Sequence, residues 1–133
     1  AYREVEEEIG IVADPATLRW VGTRVCVDES VPGIIDRELQ EIFLYRDDRP
    51  LADYHPNPAE LEGLIQISLR DALKLFSGEV AVVPGTILHA KDHTIAPLPI
   101  SQEMLLPVGV DRYFLRVAVA ILRTLRHDRY VVL

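Results

Sequence analysis

The chain has 133 residues, a length that fits one domain and hardly two. Hydrophobic residues make up 49% and charged residues 26% of the chain, which excludes a disordered or low-complexity protein. The 21 acidic residues outnumber the 14 Lys and Arg, and the net charge of -7 argues against nucleic acid as a partner, because such binding depends on phosphate neutralisation.

The cysteine content and the lengths of the apolar runs indicate the cellular compartment. Cys26 is the single cysteine and cannot form an internal disulfide, so we expect a cytoplasmic protein. The longest apolar run covers residues 117–122 and is too short to cross a membrane. The first predicted helix has no capping residue before it, and we interpret this as a sign that the natural chain continues upstream.

In chain order, the sequence pattern predicts one helix, three strands and two further helices. The predicted helices cover residues 2–9, 69–76 and 112–126. The predicted strands cover residues 18–27, 37–45 and 61–67. The first two strands suit an antiparallel pair, with Gly22 as a possible bulge. Residues 84–110 contain four prolines, and we expect them to be irregular.

Capping residues support the predicted helices. Gly10 and Gly78 are suited to end the first and second helices. Ser68 is suited to cap the second helix, with Asp71 at the capping-box position, and Asp111 to cap the third. The third helix is apolar on almost every side, which predicts burial within the domain or in a homodimer.

The first helix carries an acidic run at its C-terminal end. At about 100° per residue, Glu4, Glu7 and Glu8 fall within an arc of about 100°. Like charges at this spacing cost a few tenths of a kcal/mol per pair, and the helix dipole disfavours them there. A bound Mg²⁺ or Mn²⁺ would remove both penalties. A solvated acidic face is the alternative explanation, and we assign Glu6 to it.

The order of residues in this run carries a resemblance. Residues 3–11, REVEEEIGI, match the second half of the Nudix box, GX5EX7REUXEEXGU, in which U is aliphatic. The specified positions are filled by Arg3, Glu4, Val5, Glu7, Glu8, Gly10 and Ile11. The sequence therefore resembles a Nudix hydrolase over about residues 2–77, since residues 58–73 are similar to the family's late glutamate, strand and capped helix.

The resemblance implies an α/β fold, the Nudix-type α/β/α sandwich with a mixed sheet. The front half of the box and the strands that precede it lie outside this sequence. We therefore expect residues 1–133 to form a single partial Nudix domain, with residues 79–133 as a C-terminal extension that ends in a helix. From these residues alone we expect little or no turnover.

The resemblance also assigns roles to individual side chains. Glu8 matches the principal metal-ligand position, and Glu4 and Glu7 match the other ligand positions; Glu4 is also a candidate base. Arg3 matches a position that orients a glutamate, and its i,i+4 spacing to Glu7 permits that contact. Glu60 resembles the late glutamate, which supplies a further ligand or a base.

The activity implied by the resemblance is hydrolysis of a nucleoside-diphosphate-linked or related pyrophosphate, a small-molecule substrate, with Mg²⁺ or Mn²⁺ as cofactor. Water attacks phosphorus and a carboxylate accepts the proton. Two alternatives remain open. One is a non-catalytic Nudix-like module that binds a nucleotide or has a regulatory role. The other is an isopentenyl-diphosphate isomerase-like member, which would need acid–base Cys and Glu groups and metal-binding histidines that the pattern does not identify.

Histidines and aromatic residues elsewhere carry weaker signals. His89 and His93 have the i,i+4 spacing of a zinc pair on a helix, but their neighbours argue against a helix, so we do not assign a metal to them. Tyr54 and His55 lie in a proline-rich loop and are candidates for substrate contact. Trp20 lies in a predicted strand, and we assign it to the core.

Overall fold

The computed structural model describes residues 2–28, 36–105 and 112–133. Within these ranges the fold is mixed α/β, as predicted, with three α-helices and two antiparallel sheets. The helices are α1 (Tyr2–Ile9), α2 (Leu69–Ser77) and α3 (Tyr113–Leu125). The strands are β1 (Arg19–Asp28), β2 (Asp36–Leu44), β3 (Gly63–Gln66), β4 (Val82–His89) and β5 (Ile95–Ser101). The described strands pair only antiparallel, so they do not form the mixed sheet that the resemblance implies.

Strands β1 and β2 form a two-stranded sheet whose inner face carries one of the two cores. The pairing is antiparallel, and its register shifts between Trp20 and Gly22, which confirms the predicted irregularity at this glycine. Val21 is fully buried and packs with Ala120 of α3 and with Val131 near the C-terminus. This contact places α3 against the sheet.

The outer face of the β1–β2 sheet is apolar and exposed. Trp20, Val25 and Leu39 are 51%, 61% and 72% exposed. The assignment of Trp20 to the core is therefore wrong. Val21, at the register shift, is buried in the core, whereas its neighbour Trp20 is exposed.

Strands β3, β4 and β5 form the second sheet, with β4 in the centre. The expectation that residues 84–110 are irregular is wrong for β4 and β5, which pair from Val82 with Ser101 to Leu88 with Ile95. Prolines fit here because β5 is an edge strand: Pro97 and Pro99 are two residues apart, so both nitrogens face the side that needs no donor. Pro84 lies beyond the part of β4 that pairs with β3.

The second core lies between α2 and this sheet. Leu75, Val83 and Ile100 are its buried members. The rings of Phe76 and Phe114 stack with centroids 5.4 Å apart, which joins α2 to α3. The described part of residues 79–133 therefore contributes to both cores, and the division into a domain and an extension stays a prediction.

The last helix buries one side. Ala118 and Ala120 are buried, whereas Val119 and Leu125 are 39% and 55% exposed. α3 begins one residue later than predicted, after Arg112, and the proposed cap Asp111 lies outside the described residues. A homodimer through this helix stays a prediction. No helix in the described segments has the length and apolar character needed to cross a membrane.

Candidate functional site

The acidic run forms the helix predicted for it, and that helix ends as predicted. Gly10 has a φ of +70°, and its N–H donates to the Glu6 carbonyl at 3.1 Å. A left-handed glycine just beyond the last turn is a common helix stop. Because α1 is regular from residue 2 to residue 9, positions 4, 7 and 8 lie on one side of it.

Exposure varies along α1 but does not separate its glutamates from its apolar residues. Glu7 is exposed and Glu8 is half-buried, while Val5 and Ile9 are also half-buried. Glu6 is exposed, in agreement with its assignment to the surface. The residues that continue the chain turn inwards, since Ile11 and Ala13 are buried. The side chains of Arg3 and Glu4 lie outside the described residues.

The loop between β2 and β3, which is distant in the sequence, covers the C-terminal end of α1. The His55 N–H donates to the Ile9 carbonyl at 3.1 Å, and the Asn57 N–H donates to the Glu8 carbonyl at 2.8 Å. The last carbonyls of a helix have no partner within it, so these two bonds satisfy groups that would otherwise need water. A Cβ at Gly10 would lie 2.7 Å from both the Cβ and the carbonyl oxygen of His55, which shows how closely the loop approaches.

Glu60 is attached to this same loop. The N–H groups of Glu60 and Leu61 donate to the Asn57 carbonyl at 3.0 and 2.9 Å, forming a tight turn. The backbone N–H of Asn57 thus donates to the Glu8 carbonyl, and the backbone carbonyl of Asn57 accepts from the Glu60 N–H. The backbone of Glu8 and the turn that bears Glu60 are brought together, and the Glu60 side chain is exposed.

Carboxylates on α1 and in the adjoining turn are suitable ligands for Mg²⁺ or Mn²⁺ by their chemistry. Among the described side chains, which do not include Glu4, no three His, Cys, Asp or Glu residues are grouped to hold a metal ion. The assignment of Glu4, Glu7 and Glu8 to metal binding therefore stays a prediction. The same applies to the catalytic role of Glu60 and the orienting role of Arg3.

The loop that reaches α1 is held by a polar network centred on Asp47. Arg49 Nε lies 2.6 Å from Asp47 Oδ2, and the Arg49 N–H donates to Asp47 Oδ1 at 3.2 Å. The Tyr54 hydroxyl also donates to Asp47 Oδ2, at 3.1 Å. This bond engages the Tyr54 hydroxyl within the loop, just before the residue that contacts α1.

The network shifts the titration of its acidic members. Burial raises the pKa of Asp47, but hydrogen bonds from Arg49 and Tyr54 outweigh burial and hold this pKa below its usual value. Burial raises the pKa of the Tyr54 hydroxyl, and the hydrogen bond to Asp47 acts in the same direction. At neutral pH the loop therefore contains an ionised Asp47 that accepts from a neutral Tyr54.

Two histidines far apart in sequence meet at the same loop. The rings of His55 and His93 stack with centroids 5.0 Å apart and planes inclined by 10°. His93 Nε2 lies 3.0 Å from the Ala52 carbonyl; a carbonyl only accepts, so this nitrogen carries the proton and donates. His89 ends β4 and His93 lies in the following turn, so the expectation that they share no helix is confirmed.

Sequence reasoning missed these contacts because they join distant segments. The sequence indicates Tyr54 and His55 only as candidates for substrate contact, which stays a prediction. Nothing local pairs His55 with His93, which lies 38 residues further along the chain. The short spacing of Asp47 and Arg49 is a usable signal for an ion pair in a turn, but it does not indicate what the loop packs against.

A groove of about 490 Å³ with a mixed polar and apolar lining lies elsewhere, between the β1–β2 sheet and the end of α3. Its lining includes Arg19, Arg46, Asp47, Thr124 and His127. No residue of α1 lines it, and the Thr124 hydroxyl already donates to the Ala120 carbonyl at 2.8 Å. Asp47 is the member that this groove shares with the loop network.

Comparisons with known proteins find no family model, no curated protein and no solved structure that matches this chain. The fold class alone does not specify a function, because one architecture supports many activities. The functional argument therefore depends on the chemistry of α1 and on the segment bound to its C-terminal end.

Proposed function

We propose that this chain is part of a Nudix-type pyrophosphohydrolase, with the α/β/α sandwich of that family, acting on a nucleoside-diphosphate-linked or related pyrophosphate. The observation that carries the proposal is the acidic C-terminal end of α1, joined through Asn57 to the turn bearing Glu60. The residue pattern over positions 3–11 supports it independently.

The physical support is that the acidic run destabilises the helix that carries it. Glu6, Glu7 and Glu8 are consecutive acids at the negative end of a helix dipole, and no basic residue occupies the last turn of α1. Local stability disfavours such a cluster, and violations of local preference are expected at functional sites. A cation-dependent role gives these carboxylates a reason to be there.

In the proposed site the side chains have separate tasks. Glu4, Glu7 and Glu8 hold the divalent cations from one side of α1. Glu60 approaches from the adjoining turn, as a further ligand or as the base that accepts the proton from water. Arg3 orients Glu7 one helical turn away. Bound Mg²⁺ or Mn²⁺ would supply charge neutralisation of the diphosphate and acidification of water.

The reaction that these groups suit is hydrolysis at phosphorus. Water adds to one phosphorus, the bridging P–O bond breaks, and the displaced oxygen leaves with the other phosphate. The products are a nucleoside monophosphate or another X-phosphate, together with the remaining phosphate part. The proton of the attacking water passes to a carboxylate.

The test uses a charge-matched pair of variants on one helix. We expect Glu8→Gln to weaken Mn²⁺ binding by at least about tenfold. Electron paramagnetic resonance measures the Mn²⁺ affinity. Glu6→Gln makes the same charge change on an exposed neighbour and should leave Mn²⁺ affinity near that of the wild type. Equal losses in both variants would indicate a diffuse charge effect and would contradict the proposal.

Turnover is measured in parallel, with Mg²⁺ and with nucleotide sugars, dinucleotides and nucleoside triphosphates as substrates. Release of nucleoside monophosphate that depends on Glu8 and not on Glu6 supports the enzyme. Near-wild-type turnover by Glu8→Gln, beside an active wild-type protein, would refute the assignment.

A nucleotide-binding or regulatory module is the second candidate. Such a module would bind nucleotide without cleavage, and its affinity would not change in Glu8→Gln. The isomerase-like alternative is tested in the same series by adding isopentenyl diphosphate as a substrate.

A further inference from the structure

We propose that His93, in the turn between β4 and β5, is a positioning residue for the glutamates of α1. This inference rests on the proposed function. His93 clamps the loop of residues 52–57 onto the C-terminal end of α1, and this clamp fixes the separation of Glu8 and Glu60.

The clamp has two contacts on one loop. The His93 ring stacks on the His55 ring at 5.0 Å, and Nε2 of the same ring donates to the Ala52 carbonyl at 3.0 Å. The ring therefore contacts two residues three positions apart and restrains both the loop backbone and the side chain of His55. One of these two residues, His55, donates directly to α1.

The turn that presents His93 is itself well defined. His93 has a φ of +58°, a left-handed conformation that costs free energy for a residue with a side chain. The His93 N–H donates to the His89 carbonyl at 3.0 Å, and Asp92 accepts from the Thr94 hydroxyl at 2.7 Å and from its amide at 3.1 Å. These Thr94 bonds hold the pKa of Asp92 below its ordinary value, so Asp92 is ionised at neutral pH.

The turn is anchored in the second sheet. The Ala90 N–H donates to the Glu62 carbonyl at 3.0 Å, and the His89 N–H donates to the Thr94 carbonyl at 2.9 Å. Leu88, just before the turn, is fully buried. The exposed residue His93 is therefore carried by a turn that is hydrogen-bonded to the second sheet, whereas the loop that its ring contacts has only short segments of regular structure.

Asn57 transmits the position of the loop to both glutamates. Its N–H bonds the Glu8 carbonyl, and its carbonyl accepts from the Glu60 N–H. Any movement of the loop away from α1 therefore changes the separation of Glu8 and Glu60. Catalytic geometry is sensitive to such shifts, since a misplacement of about 1 Å can cost about 100-fold in rate.

The experiment measures how often the loop opens, by amide hydrogen exchange at Asn57. The Ala72 amide in the first turn of α2 is the reference. His93→Ala removes both contacts. His93→Gly removes them as well but relieves the left-handed strain, so it separates loss of the clamp from general destabilisation. His55→Ala removes the stacked ring, and His55→Phe restores an aromatic ring at that position.

We expect exchange at Asn57 to accelerate by about tenfold in both His93 variants and in His55→Ala. The reason is that the hydrogen bond from the Asn57 N–H to the Glu8 carbonyl opens more often. Exchange at Ala72 should not change. His55→Phe should return Asn57 to nearly the wild-type rate. Mn²⁺ affinity should fall several-fold in the variants that lack the clamp and recover in His55→Phe.

The outcomes separate this inference from the proposed function. Unchanged exchange at Asn57 in His93→Ala and His93→Gly overturns the clamp, whatever the Mn²⁺ result. Faster exchange with unchanged Mn²⁺ affinity overturns the positioning role. If the wild-type protein binds no Mn²⁺, the proposed function fails, and accelerated exchange in the His93 variants still supports the clamp.

Discussion

Helices α1 and α2 have nearly the same length, eight and nine residues, yet their ends are stabilised in opposite ways. The difference matters because α1 carries the candidate site and α2 does not. In α2 the residues next to the helix satisfy its ends. In α1 the C-terminal end also depends on residues that are distant in the sequence.

Local capping explains both ends of α2. The Ser68 hydroxyl accepts from the Asp71 N–H at 3.1 Å and donates to the Asp71 carboxylate at 2.6 Å. At the other end, Gly78 has a φ of +82° and its N–H donates to the Leu75 carbonyl. Lys74 places a positive charge in the last turn, where the helix dipole favours it. One distant group, the Gln102 side chain, adds a bond to the Leu75 carbonyl.

The end of α1 shares the glycine stop, since the Gly10 N–H donates to the Glu6 carbonyl, but it lacks the favourable charge. Its last turn is acidic and contains no basic residue. Its last two carbonyls accept from His55 and Asn57, which lie more than 40 residues further along the chain. A helix that keeps an unfavourable charge pattern needs such outside donors. The comparison indicates that α1 is positioned by the tertiary structure, whereas α2 is stabilised mainly by its own sequence.

The largest expected effect comes from matched substitutions at the two stop glycines. Gly10→Ala combines left-handed strain with a Cβ placed 2.7 Å from the His55 carbonyl oxygen, and should lower the free energy of unfolding by about 3 kcal/mol. Gly78→Ala has the same strain, but its Cβ meets nothing within 4 Å, so we expect about 1 kcal/mol.

Urea denaturation of the two glycine variants gives both values, and their difference isolates the contact with the loop. If Gly10→Ala costs no more than Gly78→Ala, the loop does not press on α1 as the structure shows. In that case the position of α1 would depend much less on tertiary contacts than its hydrogen bonds to His55 and Asn57 indicate.

The N-cap of α2 is the next largest effect. Ser68→Ala removes both cap hydrogen bonds and should lower the free energy of unfolding by about 1 kcal/mol. Because this cap is local, exchange at the Asn57 amide should stay at the wild-type rate. Acceleration there would show that α2 and the loop are coupled, which the comparison of the two helices does not predict.

The pH dependence of the loop is expected to be smaller, because the loop can open without unfolding the cores. The pKa of Asp47 is lowered in the folded state, so the unfolded state binds more protons as pH falls towards the usual Asp value. The stabilisation by Asp47 is therefore complete above about pH 5 and is lost as pH falls through the folded-state pKa.

Asp47→Asn checks this sign. The difference in unfolding free energy between the wild type and Asp47→Asn should be largest near neutral pH and should shrink as the solution is acidified. Thermal unfolding followed by circular dichroism across a pH series provides the measurement. A difference that is constant with pH, or that grows on acidification, would contradict the role of the Asp47 carboxylate.

The smallest effect is expected for the neighbouring ion pair. Arg46 and Asp48 lie 3.2 Å apart, but their side chains are 75% and 79% exposed. Asp48→Asn should change the free energy of unfolding by less than about 0.5 kcal/mol, because solvent screens exposed pairs. A loss as large as that of Ser68→Ala would mean that the whole loop, and not only the buried part, depends on its charges.

Local rules predicted the elements that local chemistry stabilises. The capped helix α2 and the antiparallel β1–β2 pair were predicted to within two residues, and the irregularity at Gly22 was anticipated. The hairpin of β4 and β5 was not predicted, because prolines oppose a central strand. Only the sheet topology shows that Pro97 and Pro99 lie on an edge where no donor is required.

The candidate site divides in the same way. The sequence by itself determined the helix with positions 4, 7 and 8 on one side, since helical periodicity depends only on the chain's own backbone. Only the tertiary structure decided that Asn57 joins Glu8 to the turn of Glu60, and that His93 holds the loop in place. These contacts join segments tens of residues apart, and pairing over such distances depends on the packing of the whole chain rather than on any local preference.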